Sequence, residues 1–252
     1  MKYKLETIPV WDAFKENTEC PICYLSEKAE ERYLKFYLGS SVMNPETRVE
    51  VNRTGFCPEH FSGLLQMRSN HSLGLLTHTH LEKRMDLLQE HLQVLKKESS
   101  KLAGKSKLLS SKKLSSAIRG LEKHLVDHEE SCMICTGITY TIQRYLYTII
   151  HLWKTDGEFR DFFQKSKGFC FHHLPEVLNM AEEVLNPGKL SEFIEELIPI
   201  IEENNKRIEK EILWFTQKFD SKNFEKPWGT SEDAHYRTIQ KLTGRTNNSI
   251  KR

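Results

Sequence analysis

Six cysteines and two histidines fall into two copies of one arrangement. Cys20-Pro21-Ile22-Cys23 is followed by Gly55-Phe56-Cys57-Pro58-Glu59-His60, and Cys132-Met133-Ile134-Cys135 by Gly168-Phe169-Cys170-Phe171-His172-His173. The intervals are nearly equal, with 33 residues between Cys23 and Cys57 and 34 between Cys135 and Cys170. Two donors spaced by two residues can reach one ion from a tight turn and leave two positions for a second pair, which suits tetrahedral zinc. The metal-ligating candidates are therefore Cys20, Cys23, Cys57, His60, Cys132, Cys135, Cys170 and His173. His173 is chosen over His172 because it keeps the Cys-x-x-His spacing of Cys57 and His60. No cysteine is left over, which disfavours buried cysteine as mere small hydrophobe.

The expected cofactor is two zinc ions. An iron–sulfur cluster is the weaker alternative because histidine ligation is the minority pattern there. Thiol–disulfide exchange is a third reading of Cys-x-x-Cys, but the alternating strands and helices of a thioredoxin-like setting are missing. Tyr24 and Thr136 follow the second cysteines where covalent haem attachment would need histidine. Each site could be built within one copy or by exchange between the copies, and the within-copy arrangement is the simpler expectation.

The elements that must position these side chains read as helices. Leu25, Ala29, Tyr33, Phe36 and Tyr37 share a face, as do Ile134, Ile138, Ile142, Tyr145, Ile149 and Trp153. The breaks fall at Gly39 to Pro45 and at Thr155-Asp156-Gly157, and the Cys-x-x-His elements open new helices over 61–67 and 174–185. Each donor pair thus sits where a loop enters a helix, whose partial positive charge favours thiolate. Gly55 and Gly168 are expected to let the backbone approach the ion. Arg32-Tyr33-Leu34 recurs as Arg144-Tyr145-Leu146 at the same offset of 112 as Cys20 and Cys132, which indicates internal duplication.

Four segments emerge from these patterns: a first Cys3His repeat over 1–95, a basic bridge over 96–123, a second repeat over 124–188, and a long acidic helix with a tail over 189–252. Leu81, Met85, Leu88, Leu92 and Leu95 make a helical packing seam. The bridge carries Lys96, Lys97, Lys101, Lys105, Lys107, Lys112, Lys113, Arg119 and Lys123, and reads either as a mobile linker or as the exposed ends of two helices. The acidic segment 190–219 has an apolar stripe through Ile194, Leu197, Ile201, Ile208 and Phe215, with a kink expected at Pro199. The turn Pro227 to Ser231 is expected to cap a last short helix, and 244–252 to be disordered. The fold class is all-α, a bundle of two pseudo-symmetric repeats plus a long C-terminal helix.

Bulk properties constrain the role only loosely. The chain has 252 residues, a formal charge of +2 and a mean hydropathy of −0.56, so no strong global field points to nucleic acid or membrane. The apolar stretch 138–153 is interrupted by Gln143, Arg144 and His151 and is too short to span a bilayer. The amino terminus lacks an apolar signal core, which places the protein in the cytoplasm, where thiols stay reduced. No phosphate-binding glycine loop, Gly-x-Ser-x-Gly elbow or nucleotide fingerprint is present. His78 and His80 do not share a helix face, whereas His124 and His128 do, and a solvated face is the expected setting for that pair.

The ordered elements Cys20 to Cys23, Tyr37 to Met43, Thr54 to His60, Ser72 to Leu75, Cys132 to Cys135 and Lys226 to Ser231 resemble a family of uncharacterised bacterial proteins, a domain of unknown function. The resemblance spans most of the chain and implies no activity. It implies that Ser72 to His80 and the Trp228 turn serve more than local structure. The sequence reading is an interaction or regulatory scaffold with closed zinc sites and a macromolecular partner, most simply a protein. The alternatives are nucleic-acid binding through the basic bridge, and a metal-handling or thiol-redox protein or enzyme.

Overall fold

A computed structural model describes residues 3–102, 107–129 and 131–244. Within them the chain forms helices α1 (Thr7–Lys15), α2 (Pro21–Leu38), α3 (Pro45–Thr54), α4 (Pro58–Gln66), α5 (Asn70–Leu102), α6 (Lys107–Glu129), α7 (Met133–Thr155), α8 (Gly157–Lys165), α9 (Leu174–Val184), α10 (Pro187–Gln217) and α11 (Ala234–Thr243). No strand occurs among the described residues, so the all-α class holds. Starts and stops follow local chemistry. Asn44 accepts from the Glu46 and Thr47 amides ahead of Pro45 in α3, Asp156 accepts from Phe159 N in α8, and Asn186 accepts from Lys189 N ahead of Pro187 in α10.

The chain divides into two units, one made of Met1–Ala29 with Thr139–Arg252 and one of Glu30–Ile138, with boundaries that fall inside α2 and α7. The unit of residues 30–138 is built on Tyr37, Leu38, Val42, Val51, Phe56, Leu64, Leu73, Leu76 and Ile134. Tyr37, Phe56 and Phe61 join edge to face through that core. Helix α5 packs on α3, and on α6 as a helical hairpin. Thr79 Oγ1 donates to Asn52 Oδ1, and the buried His80 ring contacts Asn52 O through Nδ1 at 3.2 Å. The Ser72 to His80 stretch thus locks α5 onto the end of α3, with Leu73 and Leu76 in the core.

The described part of the basic bridge is helical. Residues 96–102 end α5 and 107–123 belong to α6, while 103–106, including Lys105, lie outside the described residues. The expected seam is corrected. Leu81, Met85 and Leu92 are exposed, and the face toward α6 runs through Arg84, Leu88, His91, Leu95 and Glu98, all half-buried. Its direction is fixed by Arg84 Nη1 at 3.2 Å from His124 Nε2 and by His91 against His124. His124 therefore lies between helices rather than on a solvated face. The His128 side chain lies outside the described residues.

In the other unit, Trp11, Phe14, Phe159 and Phe163 bind α1 to α8, and Trp153 and Phe193 bind α7 to α10. Trp153 Nε1 donates to Glu196 Oε2 at 3.0 Å, and Arg160 Nε bonds the same oxygen at 3.0 Å. Helix α10 stays helical through Pro199; of the expected stripe Leu197 and Ile208 are buried while Ile194, Ile201 and Phe215 are half-buried, and Phe193 and Ile200 complete the buried face. The Trp228 turn does not cap α11 as expected, because Asp233 holds the cap position and no side chain bonds there. Instead Thr230 Oγ1 bonds Glu211, Arg237 donates to Thr230 O, and Trp228 packs on Phe215 and Phe219, tying the turn to α10. Residues 245–252 lie outside the described residues.

Candidate metal centres

Each Cys-x-x-Cys turn ends at a helix start. Cys20 precedes Pro21 of α2 with Cys23 in its first turn, and Cys132 precedes Met133 of α7 with Cys135 in its first turn. The Cys-x-x-His elements enter helices less uniformly. Cys57 is the N-cap of α4 with His60 three residues on, whereas Cys170 sits in a loop and His173 is the N-cap of α9. Gly55 and Gly168 have φ of 75° and 70°. Their role is this left-handed turn. A Cβ at Gly168 would meet the Ile201 side chain.

The eight side chains gather in two groups, Cys20, Cys23, Cys170 and His173 in one unit and Cys57, His60, Cys132 and Cys135 in the other. This corrects the simpler expectation. Each group takes the Cys-x-x-Cys of one copy and the Cys-x-x-His of the other. A backbone bond supports the second pairing, from Met133 N to Gly55 O at 3.1 Å, with Ser131 Oγ donating to Thr54 O at 2.6 Å.

Within each group all donor atoms lie within 4.8 Å of one another. His173 Nδ1 is 3.6, 3.4 and 3.2 Å from the sulfurs of Cys20, Cys23 and Cys170. His60 Nδ1 is 3.1, 3.3 and 3.3 Å from those of Cys57, Cys132 and Cys135. The Cys23 and Cys170 sulfurs are 3.6 Å apart, and those of Cys57 and Cys135 are 3.8 Å apart. These are not disulfides, and all six cysteines are free. A tetrahedron with metal–sulfur bonds of about 2.3 Å and metal–nitrogen bonds of about 2.0 Å has edges of roughly 3.5 to 3.8 Å. The donors therefore stand close to the spacing one ion requires.

Crowding shifts the acidities in opposing directions. Burial opposes charge on His173, but contacts with the Cys170 and Cys20 sulfurs outweigh it and raise its pKa to about 10. His60 moves up likewise, burial being offset by Cys132 and Cys57. Burial resists ionisation of Cys132, yet His60 carries it down to about 6. Cys170 is lowered by its contacts with Cys20 and Cys23 and then by His173. Cys23 is pushed up by the Cys170 and Cys20 sulfurs, and Cys135, though its residue is exposed, by partial desolvation of its sulfur and then Cys132. Opposing shifts of this kind follow from crowding four donors around one point. A divalent cation resolves that conflict, since it takes three thiolates and a neutral imidazole at once.

The surroundings differ. Beside the first group, Glu19 is fully buried, 3.3 Å from Lys167 and Arg237 and 2.5 Å from Arg207. Buried Lys241 donates to Lys167 O. Beside the second group, Glu30 Oε1 lies 3.2 Å from His60 Nε2, and Glu59 Oε2 lies 3.6 Å from Cys57 Sγ. Sequence patterns gave no sign of these outer residues, because none repeats between the copies.

One family model, described as a family of unknown function (DUF6062), matches residues 1–249. The chain belongs to that family. No curated protein and no solved structure matches it. Membership in DUF6062 brings no activity, so function rests on the two donor groups. No helix of the described residues is long and apolar enough to cross a membrane.

Proposed function

We propose that this protein is a zinc-stabilised helical scaffold that binds another macromolecule in the cytoplasm. One ion is held by Cys20, Cys23, Cys170 and His173, and a second by Cys57, His60, Cys132 and Cys135. The observation that carries the reading is the convergence of four donors, three sulfurs and one nitrogen, at single-ion spacing in each unit. An iron–sulfur cluster would spread its ligands wider than one ion does. Four protein donors leave no open position for a substrate, so the ions serve structure rather than hydrolysis. Each ion pins a helix start to a segment far away in sequence, the kind of restraint that joins metal affinity to folding.

The test is elemental analysis of the purified full chain, with two zinc ions expected. Cys20→Ser alone should leave one ion. Adding Cys170→Ser should still leave one, because both mutations strike the same centre, whereas adding Cys57→Ser should leave none. A chain that is metal-free yet fully folded would end the proposal.

A second reading, nucleic-acid binding, draws on the exposed cations of the hairpin: Lys96, Lys97, Lys101, Lys112, Lys113, Arg119 and Lys123. It requires affinity for RNA or DNA that falls steeply with added salt. Binding that is absent or indifferent to salt removes it.

A further inference from the structure

The two centres have the same donors but opposite surroundings. In the unit of residues 1–29 and 139–252 all four donor residues are buried. Glu19 there is ringed by Lys167, Arg207 and Arg237, and Lys241 is buried beside them. In the unit of residues 30–138, Cys135 is exposed while Cys57, His60 and Cys132 are buried. Two carboxylates stand against that centre, Glu30 at His60 and Glu59 at Cys57. Negative charge in the outer shell makes ligating thiolates more electron-rich, whereas cations and burial quiet them. Thiolate character and exposure together decide which sulfur reacts.

From this asymmetry we infer that the centre of Cys57, His60, Cys132 and Cys135 is a reactive thiolate site for hydroperoxides, attacked at Cys135, while the other centre is inert. The inference rests on the zinc reading above. The Cys135 thiolate takes the distal oxygen of the hydroperoxide, the O–O bond breaks, and the departing alkoxide takes a proton from water and leaves as an alcohol. The Cys135 sulfenic acid is then attacked by a thiolate of the same centre, from Cys57 at 3.8 Å or Cys132 within 4.8 Å. An S–S bond forms and hydroxide leaves, to be protonated to water. Two thiolates have given up two electrons, the hydroperoxide has accepted them, and two protons have come from solvent. Of the four donors only His60 and the one remaining thiolate would then be left to hold zinc, which would be released.

The experiment uses the full chain, with zinc content measured first. Absence of zinc at that step refutes the scaffold reading, whatever the response to oxidant. The loaded protein is treated with hydrogen peroxide while released zinc is followed with a chromophoric chelator, and modified cysteines are mapped by mass spectrometry. One ion per chain should leave before the other, with a disulfide mapped to Cys135. In a parallel labelling with N-ethylmaleimide, Cys135 should react ~10-fold or more faster than Cys20, Cys23 or Cys170. Glu30→Gln and Glu59→Gln keep all eight donors and should slow release from this centre alone. Equal release from both centres, first modification at Cys20, Cys23 or Cys170, or release unaffected by both Gln variants would overturn the inference.

Discussion

Gly168 holds a φ of 70°, and a Cβ there would stand 2.6 Å from Ile201 Cδ1. Both facts penalise a side chain, one through backbone strain and one through contact in a packed interior. Gly168→Ala should therefore destabilise its unit by about 1–3 kcal/mol, read as a lower urea midpoint. Gly74 is the contrast, lying inside α5 with open space around its Cβ position. Gly74→Ala should be stabilising by roughly 0.5–1 kcal/mol. The sequence marks both as glycine and cannot separate them, because torsion and neighbours are not in the pattern. What it did single out at this scale were side chains that converge in space. His173 belongs to the donor group and His172 does not. Glu30, Glu59 and Glu19 gave no such signal, since an acidic residue in a charged helix looks alike whether it faces water or a donor.

At the scale of elements, α5 shows why periodicity needs a partner before it means burial. Its leucines repeat closely enough to support more than one face, and α6 selects the one through Leu88 and Leu95. Leu88→Ala should cost about 2 kcal/mol or more, whereas Leu92→Ala, on an exposed residue, should stay within about 0.5 kcal/mol. Equal losses in chemical denaturation would contradict this orientation. The helices were legible in the sequence, but which donor pair each helix start meets was not, because a motif carries neither loop direction nor core packing.

For the molecule as a whole, each unit has its own aromatic core and its own donor group, so the units should respond separately to acid and to chelation. The acid response of the unit holding α10 is set in part by Glu196. Burial pushes its carboxyl up, but Arg160 and Trp153 outweigh that and hold it below its ordinary value of 4.5. A folded-state pKa below the unfolded one gives stability that is present above pH 4.5 and lost as pH falls through the folded value. Arg160→Met should lower the urea midpoint at neutral pH, and its deficit should shrink as pH drops below that range. A deficit independent of pH would assign the loss to packing instead. The near-neutral net charge of +2 conceals this local organisation, in which cations on the hairpin and carboxylates on α10 belong to different units.

Residue types and spacing by themselves determined the all-helical class, the eight candidate donors and their position at helix starts, because those follow from local periodicity and from turns that bring two side chains toward one point. Which pair meets which was decided only by tertiary structure. Both pairings satisfy the same spacing, and the choice depends on helix length, loop direction and core packing, none of which a motif encodes. The unequal exposure and charge around the two centres arose in the same way, from neighbouring side chains that do not recur between the copies.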